Sequence, residues 1–124
     1  MKILVAEDEP ILLRMIEMRL RKDGYEVITT VNGREALAKI EEQEPDLIIA
    51  DIMMPFASGL EIVSIVKKKT VKIPVIILSA MEQENVVLEA FKLGADDYIT
   101  KPFSLNELSV RVKRFAMTHV TRLS

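Results

Sequence analysis

Three short runs of uninterrupted apolar residues, Ile3 to Ala6, Leu47 to Ala50 and Val75 to Leu78, constrain this chain more than any other feature of its sequence. Each is bounded by polar or turn residues and reads as a strand buried on both faces, the pattern of a parallel sheet covered by helices. Two further segments, Tyr25 to Thr30 and Asp97 to Thr100, are shorter or half polar, as expected of strands at the margins of a sheet. Helical spacing fills the intervals. Leu12, Ile16 and Leu20 recur every four residues, with Arg14, Glu17 and Arg21 opposite, Pro10 suited to the first turn and Gly24 closing the helix. Asn32 with Glu35, Ser58 with Glu61, and Ser104 with Glu107 have the spacing of capping boxes and mark three more helix starts. A further helix runs from Val86 to Leu93 and stops at Gly94.

Five alternating strand and helix units result, with no repeat, linker or low-complexity tract. Placing the weak strands at the edges, with right-handed crossovers, favours the order 2-1-3-4-5, a flavodoxin-like doubly wound α/β sheet with helices on both faces. The 124 residues suffice for one core and leave no room for a second folded module, so a single domain over 1–124 is expected. With no cysteine, a disulfide framework, a thiolate metal centre and a cysteine nucleophile are all excluded, and a cytoplasmic location is the natural one. The four apolar residues after Lys2 are too few for a signal-peptide core, and no run approaches the ~20 residues of a bilayer crossing, so neither secretion nor membrane insertion is expected. A net charge of -2, six aromatics and no tryptophan leave neither a basic field nor a stacking platform for direct nucleic-acid binding.

In a sheet of this order the site is the crevice where the winding reverses, at the carboxyl ends of strands one and three. Strand one runs into Glu7, Asp8 and Glu9, and strand three ends at Asp51. Converging carboxylates need a proton or cation to compensate them, and an oxygen-only donor set suits Mg²⁺. Ser79 at the end of strand four adds a hydroxyl, and Lys101 before Pro102 adds a cation on the same rim. Such a set handles a phosphoryl group, because phosphoryl transfer needs charge neutralisation and positioning more than bond-making groups. Each feature alone has a plainer reading: Glu7 to Glu9 as a solvated turn, Asp51 as a strand-ending residue, Ser79 as a cap, Lys101 as a solvated lysine. Convergence of these four loops on one rim is what favours the chemical reading.

The segments Glu7-Asp8-Glu9-Pro10, Asp51-Ile52-Met53-Met54-Pro55, Leu78-Ser79-Ala80 and Gly94 to Phe103, in this order at successive strand ends, resemble the receiver domains of two-component response regulators across essentially the whole chain. The motifs are most similar to receivers of winged-helix transcriptional regulators. The resemblance implies a phosphorylation switch, not an enzyme beyond its own phosphotransfer and dephosphorylation. It implies phosphorylation of Asp51 by a partner histidine kinase. It implies Mg²⁺, or Mn²⁺ in its place, on Asp8, Asp51 and the Met53 carbonyl, with Glu7 acting through a bound water. Ser79 and Lys101 would hold phosphate oxygens, and the Lys101-Pro102 bond would be cis. Phosphorylation would draw Ser79 inward and vacate space for Tyr98 to turn in, changing the face of helix four, strand five and helix five. Met53 and Met81 stand where this family influences access of water to the phosphoryl group, with ordinary packing as their plainer role.

That face pairs receivers in the winged-helix branch, and Asp96, Asp97, Glu107, Arg111 and Lys113 resemble its charged pattern. Val87 and Leu93 stand where charged residues are expected on helix four. With Phe91 they point to a more apolar homodimer contact. Leu108, Val112, Phe115 and Ala116 continue at helical spacing to Val120 and Leu123, so residues 119–124 are expected to extend helix five or to start a linker to an effector domain in cis. His119 is expected on the surface. Lys113, Arg114 and Arg122 are too few for a nucleic-acid patch. Two rival functions are a protein-interaction module that takes no phosphate and a flavin-binding electron carrier. The acidic, hydroxyl and lysine set disfavours the first, and the absence of a glycine-rich phosphate loop disfavours the second.

Overall fold

The computed structural model describes residues 1–123, with side chains described through His119. Five strands alternate with five helices: β1 (Lys2–Ala6), α1 (Pro10–Lys22), β2 (Glu26–Thr30), α2 (Gly33–Gln43), β3 (Leu47–Asp51), α3 (Gly59–Lys67), β4 (Val75–Ser79), α4 (Glu84–Leu93), β5 (Asp97–Thr100) and α5 (Leu105–Leu123). The strands form one parallel sheet in the order β2-β1-β3-β4-β5, the expected doubly wound topology. The uninterrupted apolar runs are the three central strands, and every residue of β3 and β4 is buried.

Local chemistry explains the helix ends. Asn32 Oδ1 accepts from the Glu35 amide at 2.8 Å, Ser58 Oγ from Glu61 at 3.2 Å and Ser104 Oγ from Glu107 at 3.0 Å, so all three anticipated caps form. α1 starts without a side-chain cap, relying on Pro10 in the first turn. Gly24 and Gly94 follow their helices at φ of +100° and +111°, where a side chain would be strained. Glu44 holds the same left-handed region at the end of α2 with φ 45°, an uncommon conformation for a residue with a Cβ. Asn tolerates it better, so Glu44→Asn is expected to stabilise the fold by about 0.5 kcal/mol, read as a higher denaturation midpoint at unchanged slope. A lower midpoint would contradict this reading.

The sheet separates two cores. Leu4, Ala6, Ile48, Ala50, Val75 and Ile77 face α2, α3 and α4, while Ile3, Val5, Leu47, Ile49, Ile76 and Leu78 face α1 and α5. This alternation within each strand is what lets helices cover both faces. On α1 the buried stripe is Leu13, Ile16 and Leu20, with Leu12 half-buried at its margin, a shift from the expected Leu12 stripe. The helical continuation of α5 is present to Leu123, with Leu108 and Val112 buried and Phe115 packed beside them; the side chains of Val120 and Leu123 lie outside the described residues. His119 is half-buried rather than fully at the surface, with Nε2 3.8 Å from Asp46 Oδ1, because α5 reaches back over the start of β3. No helix among the described residues is long and apolar enough to cross a membrane.

Candidate functional site

Parallel register builds the site. Ala6 pairs with Ala50, so Glu7 and Asp51 emerge level from adjacent strands, and Ser79 pairs with Thr100, which brings Lys101 to the same edge. The Lys101-Pro102 peptide is cis, as expected. Lys101 Nζ then lies 2.8 Å from Glu7 Oε1 and 2.7 Å from Asp51 Oδ2. Each carboxylate has a second, backbone donor: the Glu9 amide reaches Glu7 Oε2 at 3.1 Å, and the Met53 amide reaches Asp51 Oδ1 at 3.2 Å. Glu7 is 0% and Asp51 5% exposed, so one lysine compensates two buried acids. Asp8 is exposed and has no hydrogen-bond partner among the described residues, yet one oxygen from each of Glu7, Asp8 and Asp51 lies within 4.8 Å of the others. Three converging carboxylates without sulfur or imidazole fit a hard divalent cation such as Mg²⁺.

The electrostatics follow from that imbalance. Burial pushes the Glu7 carboxyl up, Lys101 and the Glu9 amide partly oppose it, and the Asp51 charge adds to the rise, which reaches about 7. Burial alone would lower Lys101, but its hydrogen bonds and charge contacts with Asp51 and Glu7 outweigh it and hold the ammonium's pKa above its ordinary value. Between pH 4.5 and about 7 the folded chain therefore keeps a proton on Glu7 that the unfolded chain releases. Stability from this group is present at low pH and lost as pH rises through about 7, by up to about 3 kcal/mol. With a metal chelator present, the denaturation midpoint is expected to fall from about pH 5 to about pH 8, and Glu7→Gln is expected to flatten that slope. A wild-type slope identical to the variant's would refute the assignment.

Ser79 is fully buried, and its Oγ accepts from the Met81 amide at 2.9 Å, leaving the hydroxyl proton available to donate. Tyr98 is packed into the core. Its ring is already turned inward, 8% exposed, with the hydroxyl donating to the Met81 carbonyl at 2.7 Å. Packing supplies the reason: the ring lies in the core cluster and against Phe91, centroids 6.5 Å apart. Met81 thus touches both Ser79 and Tyr98 through its backbone, a role its side-chain identity does not encode.

The residues expected on the α4-β5-α5 face separate into two groups. Phe91 packs on Tyr98 and is itself exposed, Val87 and Leu93 are half-buried, and Arg111 joins α5 to β5 through Asp97 at 2.7 Å. Glu107 and Lys113 are exposed on α5. Asp96 belongs elsewhere: its Oδ2 is held by Lys67 of α3 at 2.7 Å and by the Val75 amide at 2.8 Å. Asp97 is likewise engaged within the chain, so neither acid is an open charge for a partner.

One further cluster borders the site. The Pro55 carbonyl accepts from Gly33 at 3.1 Å and from Ala57 at 2.9 Å, closing a three-residue turn around Phe56, whose φ is 73°. A Cβ on Gly33 would lie 2.0 Å from the Ala57 carbonyl oxygen, so only glycine allows α2 this close. The Arg34 guanidinium stacks 4.1 Å from the centroid of the Phe56 ring. Sequence spacing gave no signal for these residues, because the contact joins two loops and the positive φ falls on a phenylalanine.

A family model described as response regulator receiver domain matches residues 3–113. The alkaline phosphatase synthesis transcriptional regulatory protein PhoP of Bacillus subtilis is 41% identical over 112 residues, which cover 90% of this chain and 47% of PhoP. This chain therefore spans about half the length of that relative. The receiver domain of Francisella response regulator 1452 superposes with a TM-score of 0.90 at 36% identity, covering 95% of this chain and 98% of that one. A BeF3-activated DrrB receiver domain superposes with a TM-score of 0.86 at 35% identity, covering 94% and 97%.

Proposed function

The chain belongs to the response regulator receiver domain family, and from that premise we propose that Asp51 is the residue that accepts the phosphoryl group. The observation that carries this assignment is the placement of Asp51 between the Lys101 ammonium and the Met53 amide, with the Glu7 and Asp8 carboxylates within 4.8 Å. A receiver implies a cognate histidine kinase as donor. An Asp51 oxygen bonds to phosphorus as the phosphorus-nitrogen bond of phosphohistidine breaks; that bond's electron pair leaves with the imidazole, which takes up a proton from solvent. Lys101 holds a phosphate oxygen, and Ser79 donates its hydroxyl proton to another. Asp8, Asp51 and the Met53 carbonyl, with Glu7 acting through water, would hold Mg²⁺, which would supply positive charge to offset the carboxylates and the incoming group.

The kinase docks beside the site, where a cleft of 410 Å³ is lined by Ile11, Leu12, Met15, Pro102 and Phe103. Ile11 and Met15 are exposed apolar residues on α1, an orientation that suits a partner surface. The signal leaves through α4, β5 and α5. Tyr98 connects this face to the site through Met81, and phosphorylation acts on it by favouring the conformation of the chain that the phosphoryl group binds better. Phe91, Val87 and Leu93 provide an apolar centre for a homodimer contact, with Glu107, Arg111 and Lys113 around it. By analogy with PhoP, a transcriptional regulatory protein, the output is transcription.

The test is intact-mass measurement after incubation with a small phosphoryl donor. With Mg²⁺ the chain is expected to gain one phosphoryl group, mapped to Asp51, and with a chelator none. Absence of any gain with Mg²⁺ would favour a protein-interaction module that takes no phosphate, and a gain mapped elsewhere would overturn Asp51.

A further inference from the structure

Phe56 is held in a conformation that a bulky residue rarely adopts, only five positions beyond Asp51. Such an outlier persists only where surrounding structure over-determines it. Here the constraint comes from the first turn of α2. Its Gly33 amide, a helix-terminal donor with no partner inside the helix, is satisfied by the Pro55 carbonyl. The Arg34 guanidinium covers the Phe56 ring and makes no hydrogen bond or ion pair with any described residue. The same loop is tied at its ends to the sheet and α3: the Ile52 amide to Leu78, the Gly59 amide to the Ile52 carbonyl, and the Met53 amide to Asp51. Between Met53, bonded to Asp51, with Met54 packed on the core, and Gly59, the Pro55-Phe56 turn is held by its contacts with α2.

We propose that Arg34 and Gly33 are positioning residues for the metal centre: by clamping Phe56 and Pro55 they fix the backbone that presents the Met53 carbonyl beside Asp51. The inference rests on the reading of Glu7, Asp8, Asp51 and Met53 as a Mg²⁺ site. A loop whose middle lacks a fixed turn samples several carbonyl orientations even when its ends are tied. The α2 clasp selects one before the ion arrives, which lowers the ordering that binding requires. Arg34 is exposed and touches the loop only through the ring, so its removal leaves both cores intact.

The test measures Mg²⁺ affinity calorimetrically on the full chain, at a temperature where all forms are folded, for the wild type, Arg34→Ala, Arg34→Lys and Phe56→Tyr. Arg34→Ala is expected to weaken Mg²⁺ binding by about tenfold, the low end for groups that orient ligands. Arg34→Lys and Phe56→Tyr, which keep a cation over an aromatic face, are expected to stay within about threefold of the wild type. Hydrogen exchange at the Ala57 amide is expected to accelerate in Arg34→Ala alone. An Arg34→Ala affinity equal to the wild type's overturns the proposal, even where its melting temperature falls, since that is a structural effect only. A wild type that binds no Mg²⁺ overturns the metal-site reading itself and this inference with it.

Discussion

Asp51→Asn is expected to abolish phosphoryl uptake completely while leaving the fold intact. The amide has the shape of the carboxylate and still accepts from the Met53 amide, but its oxygen is not a nucleophile of comparable strength, so no covalent step begins. The substitution has a second consequence that reports on the same site. The Asp51 charge contributes to the raised pKa of Glu7, and Lys101 is shared between the two acids. Without Asp51, Lys101 serves Glu7 alone, and the Glu7 pKa is expected to drop toward its ordinary value. Metal-free stability should then fall less steeply between about pH 5 and about pH 8 than in the wild type. Intact mass and denaturation in chelator measure the two effects separately. A variant that gains a phosphoryl group as readily as the wild type would end the assignment.

Lys101→Met is expected to cause the larger loss of stability. The methionine fills similar volume and leaves Glu7 and Asp51 facing one another, both buried and without a cation. Breaking a buried ionic cluster by removing one partner costs about 3 kcal/mol or more, because an uncompensated charge stays in a poorly solvated place. The cost is expected to shrink at lower pH, where a proton on Glu7 removes one of the facing charges. Mg²⁺ should restore part of the stability by replacing the lost positive charge. Phosphoryl uptake should be slowed as well, since Lys101 no longer holds a phosphate oxygen. Equal midpoints for variant and wild type at pH 8 would show that Lys101 carries no such electrostatic burden.

The two carboxylates and the lysine were legible before any coordinates, because strand ends are marked by where apolar runs stop. Ile3 to Ala6 must be followed by the first residues to leave the sheet, and these are Glu7, Asp8 and Glu9. The three capping boxes were legible for a similar reason: a cap is a contact between residues three apart and needs no tertiary information. In the α1 stripe Ile16 and Leu20 are buried as expected, but Leu13 takes the place of Leu12, since the two are adjacent and only packing against the sheet selects Leu13.

The orientation of Tyr98 was not legible. A tyrosine on an edge strand can face either way, and the choice here is made by the Met81 carbonyl and Phe91, which come from the β4-α4 loop and α4. Asp96 shows the same limit. Its neighbour Asp97 pairs with Arg111 on α5, as a charged α5 face suggests, whereas Asp96 turns to Lys67 and the start of β4 because successive residues along an extended chain point to opposite sides.

By itself the sequence determined the alternation of elements, their order in the sheet and the edge at which the acids, hydroxyl and lysine meet. Those properties depend on hydrophobic period, local capping and the handedness of crossovers, which act within an element or between consecutive ones. Only the tertiary structure decided that Glu7 is fully buried with a pKa near 7, that Tyr98 is already inward, and that α2 clasps the strained turn at Phe56. Each of those depends on desolvation or on a contact between segments far apart in the chain, and neither quantity exists until the sheet has closed its neighbours around it.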